Sequence, residues 1–333
     1  MLRKLSRPEV LMPLVLSVAL IGALLGVTDA PKVLDLVARI SLPLVLLNFP
    51  LVVAYLALKS LQLRLFLNDI RIRVSWKQLL FAFASGEMSA SVPGGMFLQN
   101  YVLRRVAGAG FARSSAATAA ILVVEGGVSL VVLAILGIPG WGLLRPAILI
   151  FLVIAAAAIL LLVKTRGLRD LLGRAVQAGP LRPIGLGAMQ MAEELGRLCT
   201  PRVAARAALV GAAYLLAISA GLLVVAHGIG ETTFTYQQAV TAYLFALAMV
   251  LLSPISSQLG MIEAGGVGVL QTMGYGPTDA LAMMLGLRLV WTASVWMSCG
   301  LILLLLRGEW REPLMPQLAP EIYWPSRPWS ESA

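Results

Sequence analysis

Cysteine and histidine are nearly missing from this chain: Cys199, Cys299 and His227 are the only ones in 333 residues. A zinc centre built on such side chains takes three or four ligands, so that class of metalloenzyme is excluded. No lysine follows a glycine in a Walker-type loop, which removes the usual cradle for ATP phosphates. No cofactor is expected, and energy for any transport would come from a gradient, a partner or the substrate. Charge is the third scarcity. Only 13% of residues are charged against 59% hydrophobic, with mean hydropathy +0.89, whereas a soluble domain carries about 25% charged residues. Too few polar side chains remain to cover a soluble globule, and the charges avoid the long apolar runs. Lipid must be the solvent for most of the chain.

The charge that is present leans positive, with net +10 and pI near 10.1. Basic residues beside apolar spans record membrane orientation more often than nucleic-acid binding, so no nucleic-acid partner is expected. A bilayer core needs about 20 apolar residues in a helix. Val10 to Val27 approaches this behind Arg3, Lys4 and Arg7; the run is too long, and Thr28-Asp29-Ala30 too poor a cleavage site, for a signal peptide, so it reads as an uncleaved first span. Further spans are expected at about Ile40 to Leu58, Ser114 to Ile138, Leu143 to Val163, Ala207 to Ala226 and Asp279 to Leu306.

Two other apolar regions are interrupted. Gln78 to Leu103 breaks at Ser89-Ala90-Ser91-Val92-Pro93-Gly94-Gly95, and Tyr236 to Met273 breaks at Ser253-Pro254-Ile255-Ser256-Ser257. Proline removes a helix donor and glycine weakens a helix, so each region reads as two half-helices. The plainer alternative is that Pro93 and Pro254 only kink ordinary spans. Charge decides between them. If both regions turn back inside the membrane, one face collects Arg3, Lys4 and Arg7; Lys59, Arg64, Arg71, Arg73 and Lys77; Arg104, Arg105 and Arg113; the eight from Lys164 to Arg206; and Arg307, Arg311 and Arg327, which is 22 of the 26 Lys and Arg. Making just one region a full crossing scatters them over both faces.

The expected fold is therefore all-α and polytopic, with about six full spans and two re-entrant helical hairpins in two inverted-topology halves. Residues 1–307 form one integral-membrane domain, with halves at about 8–138 and 143–307 and a basic loop at 164–206; residues 308–333 form a Pro/Trp-rich tail. A faint echo supports the repeat: Gly110-Phe111 precedes Ala116 as Gly274-Tyr275 precedes Ala280. Interrupted helices meeting near the midplane are the architecture of many secondary transporters. Their open backbone should be buried in protein or line a wet cavity.

Ionisable residues inside a membrane are costly and usually have a task. Four stand out: Glu87, Glu125, Glu263 and Arg288, with Glu125 and Arg288 at nearly equal depth in the two halves. In a hydrated cleft, Arg288 would attract a lipid phosphate while the glutamates compete for it or carry protons. The competing reading is a structural pair of Glu125 with Arg288 that stabilises helix packing. Lesser features have plain readings: His227 as an interfacial histidine, Gly22 and Gly26 as a close helix contact, Asp279 as a helix start. The stretch MQMAEELGRL reads as an amphipathic segment at anionic headgroups or an ordinary linker.

The segment SPISSQLGMIEAGGVGVLQTMGYGPTDALAMMLGLRLV resembles the second signature of the flippase-like membrane family that includes the transmembrane region of lysylphosphatidylglycerol synthases. A proline-bounded break at Pro254, then Gly260, Glu263 and Ala264, an Ala-rich span and Arg288 carry the resemblance. The first signature is looser, in SVPGGMFLQNYVLRRVAGAGFARSSAATAAILVVEGG, where Phe97-Leu98 and Glu125-Gly126 replace the family's Gly-Glu and Glu-Arg. The resemblance covers most of Val10 to Arg307. It implies flipping or transfer of lipids such as aminoacylated phospholipids or lipid-linked intermediates. Taken with the intramembrane charges and the two breaks, the expected substrate-binding set is Arg288, Glu263, Glu125, Glu87, Gly260, Pro254 and Pro93. It does not carry the synthase activity, for which no soluble aminoacyltransferase domain follows Arg307.

Two other functions compete: an intramembrane lipid-modifying enzyme, for which Glu87 and Glu263 lack a convincing nucleophile, and a non-catalytic subunit of a glycosyltransferase or lipid-synthesis complex, docked through the basic loop. The expected partners are membrane lipids, such a lipid-synthesis or glycosyltransferase protein, or a second copy of the chain. The expected place is a bacterial inner membrane with both termini cytoplasmic.

Overall fold

A computed structural model describes residues 21–26, 28–90, 95–137, 194–198, 200–252 and 260–309, with a few isolated positions besides. The expected span Leu143 to Val163, most of Val10 to Val27, the breaks at Pro93 and Pro254, most of the basic loop and nearly all of the tail lie outside these residues. Every regular element among the described residues is helical. Besides two short 3-10 turns at Gly95–Phe97 and Arg307–Glu309, they are in order α1 (Ala30–Ala38), α2 (Leu42–Asp69), α3 (Trp76–Ser89), α4 (Leu98–Ala107), α5 (Phe111–Leu136), α6 (Pro201–Gly228), α7 (Tyr236–Leu252), α8 (Met261–Thr272) and α9 (Pro277–Leu305). Of these, α2, α5, α6 and α9 are long and apolar enough to cross a bilayer.

Local chemistry sets the shorter elements. Ser75 and Gln78 form a reciprocal capping box that starts α3. Gly108, in the left-handed region at φ 67°, ends α4 two residues before α5 begins. Pro201 and Pro277 sit in the first turns of α6 and α9, where the missing N–H costs nothing.

Both interrupted regions double back. The Gln78 side chain at the start of α3 donates to the Val106 carbonyl at the end of α4 (2.8 Å), and at the tip the Ser89 hydroxyl donates to the Gly95 carbonyl (2.8 Å). In the second hairpin Tyr275, just past α8, donates to Gln238 at the start of α7 (3.2 Å) and meets Phe234 edge to face. Each hairpin closes on a glycine: a Cβ on Gly86 would lie 2.8 Å from Gln99 Cβ, and one on Gly265 would lie 3.0 Å from Ala246 Cα. At about 1.5 Å per residue the longest arm, α7, reaches roughly 26 Å, short of the 30 Å hydrocarbon core.

The hairpins open on opposite faces. Arg206, in the second turn of α6, lies 3.7 Å from Asp69 at the end of α2, while Gly228 at the other end of α6 abuts Leu44 at the start of α2. The two long helices are thus antiparallel, and the hairpin that follows each emerges from a different face. The loop after α2 and the start of α5 share the first face through Arg113, whose guanidinium donates to the Ile70 carbonyl (2.6 Å). The opposite face holds the starts of α1 and α9, joined by Lys32 and Asp279 at 3.7 Å. The first face carries Arg64, Arg71, Arg73, Lys77, Arg104, Arg105, Arg113, Arg197, Arg202, Arg206 and Arg307; the other has Lys32 and Arg39.

The inverted repeat is legible residue by residue. Tyr55 and Tyr214 are each the fourteenth residue of their 28-residue helices, and their rings meet edge to face at 5.7 Å, on the pseudo-twofold axis. In the same register Gln62 matches Gly221 and Ala207 matches Asn48. Gln62 donates to the Ala207 carbonyl (2.8 Å), and a Cβ on Gly221 would touch Asn48 Oδ1 at 2.8 Å, so the contact recurs with its partners exchanged.

Several expectations need correction. Lys59 does not belong to the basic face: α2 runs past Leu58 to Asp69, and the Lys59 side chain, 16% exposed, points into the protein. Arg288 does not pair with Glu125; its carboxylate is Glu263. The caps align Gly110 with Gly276, not Gly274, so the Gly-Ala echo is two residues out of register. A Cβ on Gly22 or Gly26 would meet nothing within 4 Å among the described residues. His227 needs no correction: it is exposed in the last turn of α6, at the end of a span as expected, and its Nε2 donates to the Phe234 carbonyl (2.8 Å).

Candidate functional site

The end of α3 and the start of α8 face the same space at the level of Tyr55, the middle of α2. Ala90 from the first tip and Ile262 from the second line two adjoining cavities that also share Tyr55, Glu87, Ile218 and Tyr243. Together they form one cleft through the centre of the molecule, between the hairpins and the four long helices. One end is charged by the first half and the other by the second.

At the first end Lys59 from α2 sits between two carboxylates. Its ammonium is 3.2 Å from Glu87 Oε1 on α3 and 3.4 Å from Glu125 Oε1 on α5, and it donates to the Tyr55 hydroxyl at 3.0 Å. Tyr55 in turn donates to Glu87 Oε2 (2.6 Å), and Tyr214 donates to Glu125 Oε1 (2.7 Å). Gln62 steadies Tyr214 from 3.1 Å, its own amide being fixed on the α6 backbone. The side chains of Glu87 and Glu125 are 10% and 7% exposed, so this polar cluster lies in a low-dielectric interior.

At the second end Glu263 is fully buried in the first turn of α8. One oxygen accepts from Arg288 Nε on α9 (2.7 Å), and the other accepts from the Gly260 N–H (2.7 Å). Gly260 has φ +80° and ψ −41°, a backbone state that L side chains avoid, and this turn brings its N–H onto the carboxylate. The Gly-x-x-Glu pattern is thereby explained: the glycine makes the bend after the break, and the glutamate caps the helix and holds the arginine. Counted from the helix starts, Asn100 on α4 takes the place of Glu263. There a neutral clamp replaces the ion pair, with Gln99 and Asn100 both donating to Thr118 on α5 (2.8 and 3.0 Å).

From Arg288 the cleft follows α9 past Trp291, Thr292 and Val295 to Trp296, which is 50% exposed. Trp291 packs edge to face on Tyr55 at 5.5 Å. In repeat register Trp291 is the mate of Glu125, so the Tyr55 contact with Trp291 mirrors that of Tyr214 with Glu125. The cavity at this end has a volume of about 100 Å³.

All four ionisable candidates are thus placed around the cleft or against its wall, though as two groups. Glu87 and Glu125 share Lys59, and Glu263 belongs to Arg288; Pro93 and Pro254 lie outside the described residues. Sequence reasoning missed Tyr55, Lys59, Tyr214 and Gln62. The signal was available in α2, where Tyr55, Lys59 and Gln62 recur at helical spacing on one face of an otherwise apolar run.

Among the described residues, four helices long and apolar enough to cross a membrane, two opposed hairpins and a charged central cleft define a polytopic membrane protein of inverted-repeat architecture. Residues 10–297 match the family described as the lysylphosphatidylglycerol synthase TM region. The chain belongs to that family, a membrane family related to lipid handling. No curated protein matches the chain.

Proposed function

We propose that this protein moves phospholipids or lipid-linked intermediates between leaflets, with the central cleft as the site through which the headgroup passes. The observation that carries this reading is the shape of the cleft. Its inner wall presents Glu87, Lys59, Glu125 and Arg288 at the depth of the hairpin tips, and its outer end reaches the lipid-facing surface at the half-exposed Trp296. A headgroup needs a polar interior, whereas acyl chains need an apolar exit, and a lateral opening of this kind supplies both. Arg288 is the natural attractor for a phosphate, in competition with Glu263 for the same guanidinium. Glu87 and Glu125 compete in the same way for Lys59. The basic face is the cytoplasmic one by the positive-inside tendency, which places the first hairpin on that side of the bacterial inner membrane.

Reconstitution of the full chain into liposomes with a fluorescent phospholipid, read by quenching from outside, tests the proposal. Faster exchange between leaflets that is lost in Arg288→Ala is expected. A change in total lipid composition would point to a lipid-modifying enzyme instead, and unchanged exchange and unchanged composition would favour a non-catalytic subunit.

A further inference from the structure

The charges around the cleft do not balance. Among the described residues two cations, Lys59 and Arg288, face three carboxylates, Glu87, Glu125 and Glu263. Glu263 and Arg288 form one pair, with the second Glu263 oxygen held by the Gly260 N–H. The surplus therefore falls on the other cluster, where one lysine is shared by two acids. An unbalanced charge is costly at this depth, and the ordinary remedy is a proton. Two carboxylates close to one lysine are coupled, so any proton taken up there is shared by the pair and not assigned to either acid.

Nothing in the scaffold requires this arrangement. In repeat register Lys59, Glu87 and Glu125 correspond to Ile218, Leu247 and Trp291, and these apolar mates line the same cleft. The Tyr214 contact to Glu125 is matched by the Tyr55 contact to Trp291, so the packing position is filled equally well without charge. The cluster is thus an addition to one half of a repeat that folds around apolar residues in the other.

We infer that Lys59, Glu87 and Glu125 form a proton-loading site coupled to an anionic headgroup in the adjoining cleft. The inference rests on the lipid-transport reading. A phosphodiester entering beside Arg288 adds one negative charge to an interior that already carries a surplus. Uptake of one proton from water, forming an O–H bond on Glu87 or Glu125, offsets it and loosens that acid from Lys59; when the lipid leaves, the O–H bond breaks and the proton returns to water. The groups facing the two acids are Tyr55 and Lys59 from α2, Tyr214 from α6, Tyr243 from α7, and Arg288 with the more distant Cys299 from α9; Glu263 on α8 stands behind Arg288.

The test is binding of dioctanoyl-phosphatidylglycerol to the full chain in detergent, by calorimetry, between about pH 5.5 and 8, a range in which the lipid itself stays anionic. Linked uptake makes binding weaken as pH rises, by up to about tenfold per pH unit. Glu125→Gln and, separately, Glu87→Gln are expected to flatten that dependence while eluting as folded, monodisperse protein. Two variants are used so that misfolding of either leaves the other decisive. Lipid that binds with an affinity independent of pH overturns the proton site and leaves the transport reading standing, as does a pH dependence that survives in both variants. Absence of lipid binding at every pH overturns both.

Discussion

Glu263→Ala should be among the most damaging single substitutions in this protein. Glu263 is fully buried, and its two oxygens have separate duties 2.7 Å away, one at Arg288 Nε and one at the Gly260 N–H. Truncation removes the carboxylate that balances Arg288 within the bundle, and breaking a buried pair from one side costs about 3–5 kcal/mol. It also releases the cap on α8, worth about 1 kcal/mol. Glu263→Gln keeps an oxygen for the Gly260 N–H, so it should lose the first contribution and spare the second. Arg288→Met removes the opposite charge and leaves Glu263 uncompensated. The double variant Glu263→Gln/Arg288→Met buries no charge at this point, and it should recover at least about 2 kcal/mol relative to the sum of the single changes. Equilibrium unfolding in mixed micelles with increasing dodecyl sulfate, followed by far-ultraviolet circular dichroism, reads these differences. Single variants that each cost less than about 1 kcal/mol, or a double variant equal to their sum, would refute the pairing. Charge reversal of Glu125 with Arg288 should bring no such recovery, because Glu125 has Lys59 and Tyr214 as its partners.

Two further outcomes follow from the geometry. Single cysteines replacing Lys77, Arg104 or Arg113 in a Cys199→Ser/Cys299→Ala background should react with an impermeant maleimide from one face of sealed vesicles, and a cysteine replacing Lys32 from the other; reaction of Arg104→Cys and Lys77→Cys from opposite faces would abolish the first hairpin. Gly221→Ala should destabilise by about 1–3 kcal/mol in the same unfolding assay, since its Cβ would lie 2.8 Å from both Asn48 Oδ1 and the Trp291 ring, whereas Gly127→Ala, which meets nothing within 4 Å, should be neutral or gain up to about 1 kcal/mol of helix propensity.

The hairpins could be found in the sequence because charge obeys a global rule. A residue such as Arg104 records which face its chain segment returns to, and one wrong crossing would displace every basic residue after it. The helix ends were less legible for the same reason that Lys59 was misplaced. A lysine at the edge of an apolar run reads as the end of a span, yet α2 continues for ten residues beyond it because Glu87 and Glu125 arrive from other helices to receive the ammonium. Partners that come from α3 and α5 leave no local trace in α2 beyond the helical spacing of Tyr55, Lys59 and Gln62. The choice of partner for Arg288 failed similarly. Equal depth suggested Glu125, but the φ +80° turn at Gly260 swings Glu263 into reach, and a single residue's backbone state is not written in hydropathy.

The internal repeat shows where architecture ends and chemistry begins. Tyr55 and Tyr214 keep one residue type at both mates because each ring packs on the other at the axis, a duty the fold imposes equally on the two halves. Away from the axis the mates diverge, with Lys59 against Ile218 and Glu125 against Trp291, although each still lines the cleft and Glu125 and Trp291 still meet the opposite tyrosine. Buried charges stabilise a membrane interior less than well-packed apolar side chains of similar size. Stability alone would therefore draw the first half toward the apolar solution already present in the second. That it holds a lysine and two acids there instead, at a cost in desolvation, is what the proposed passage of a charged headgroup would account for.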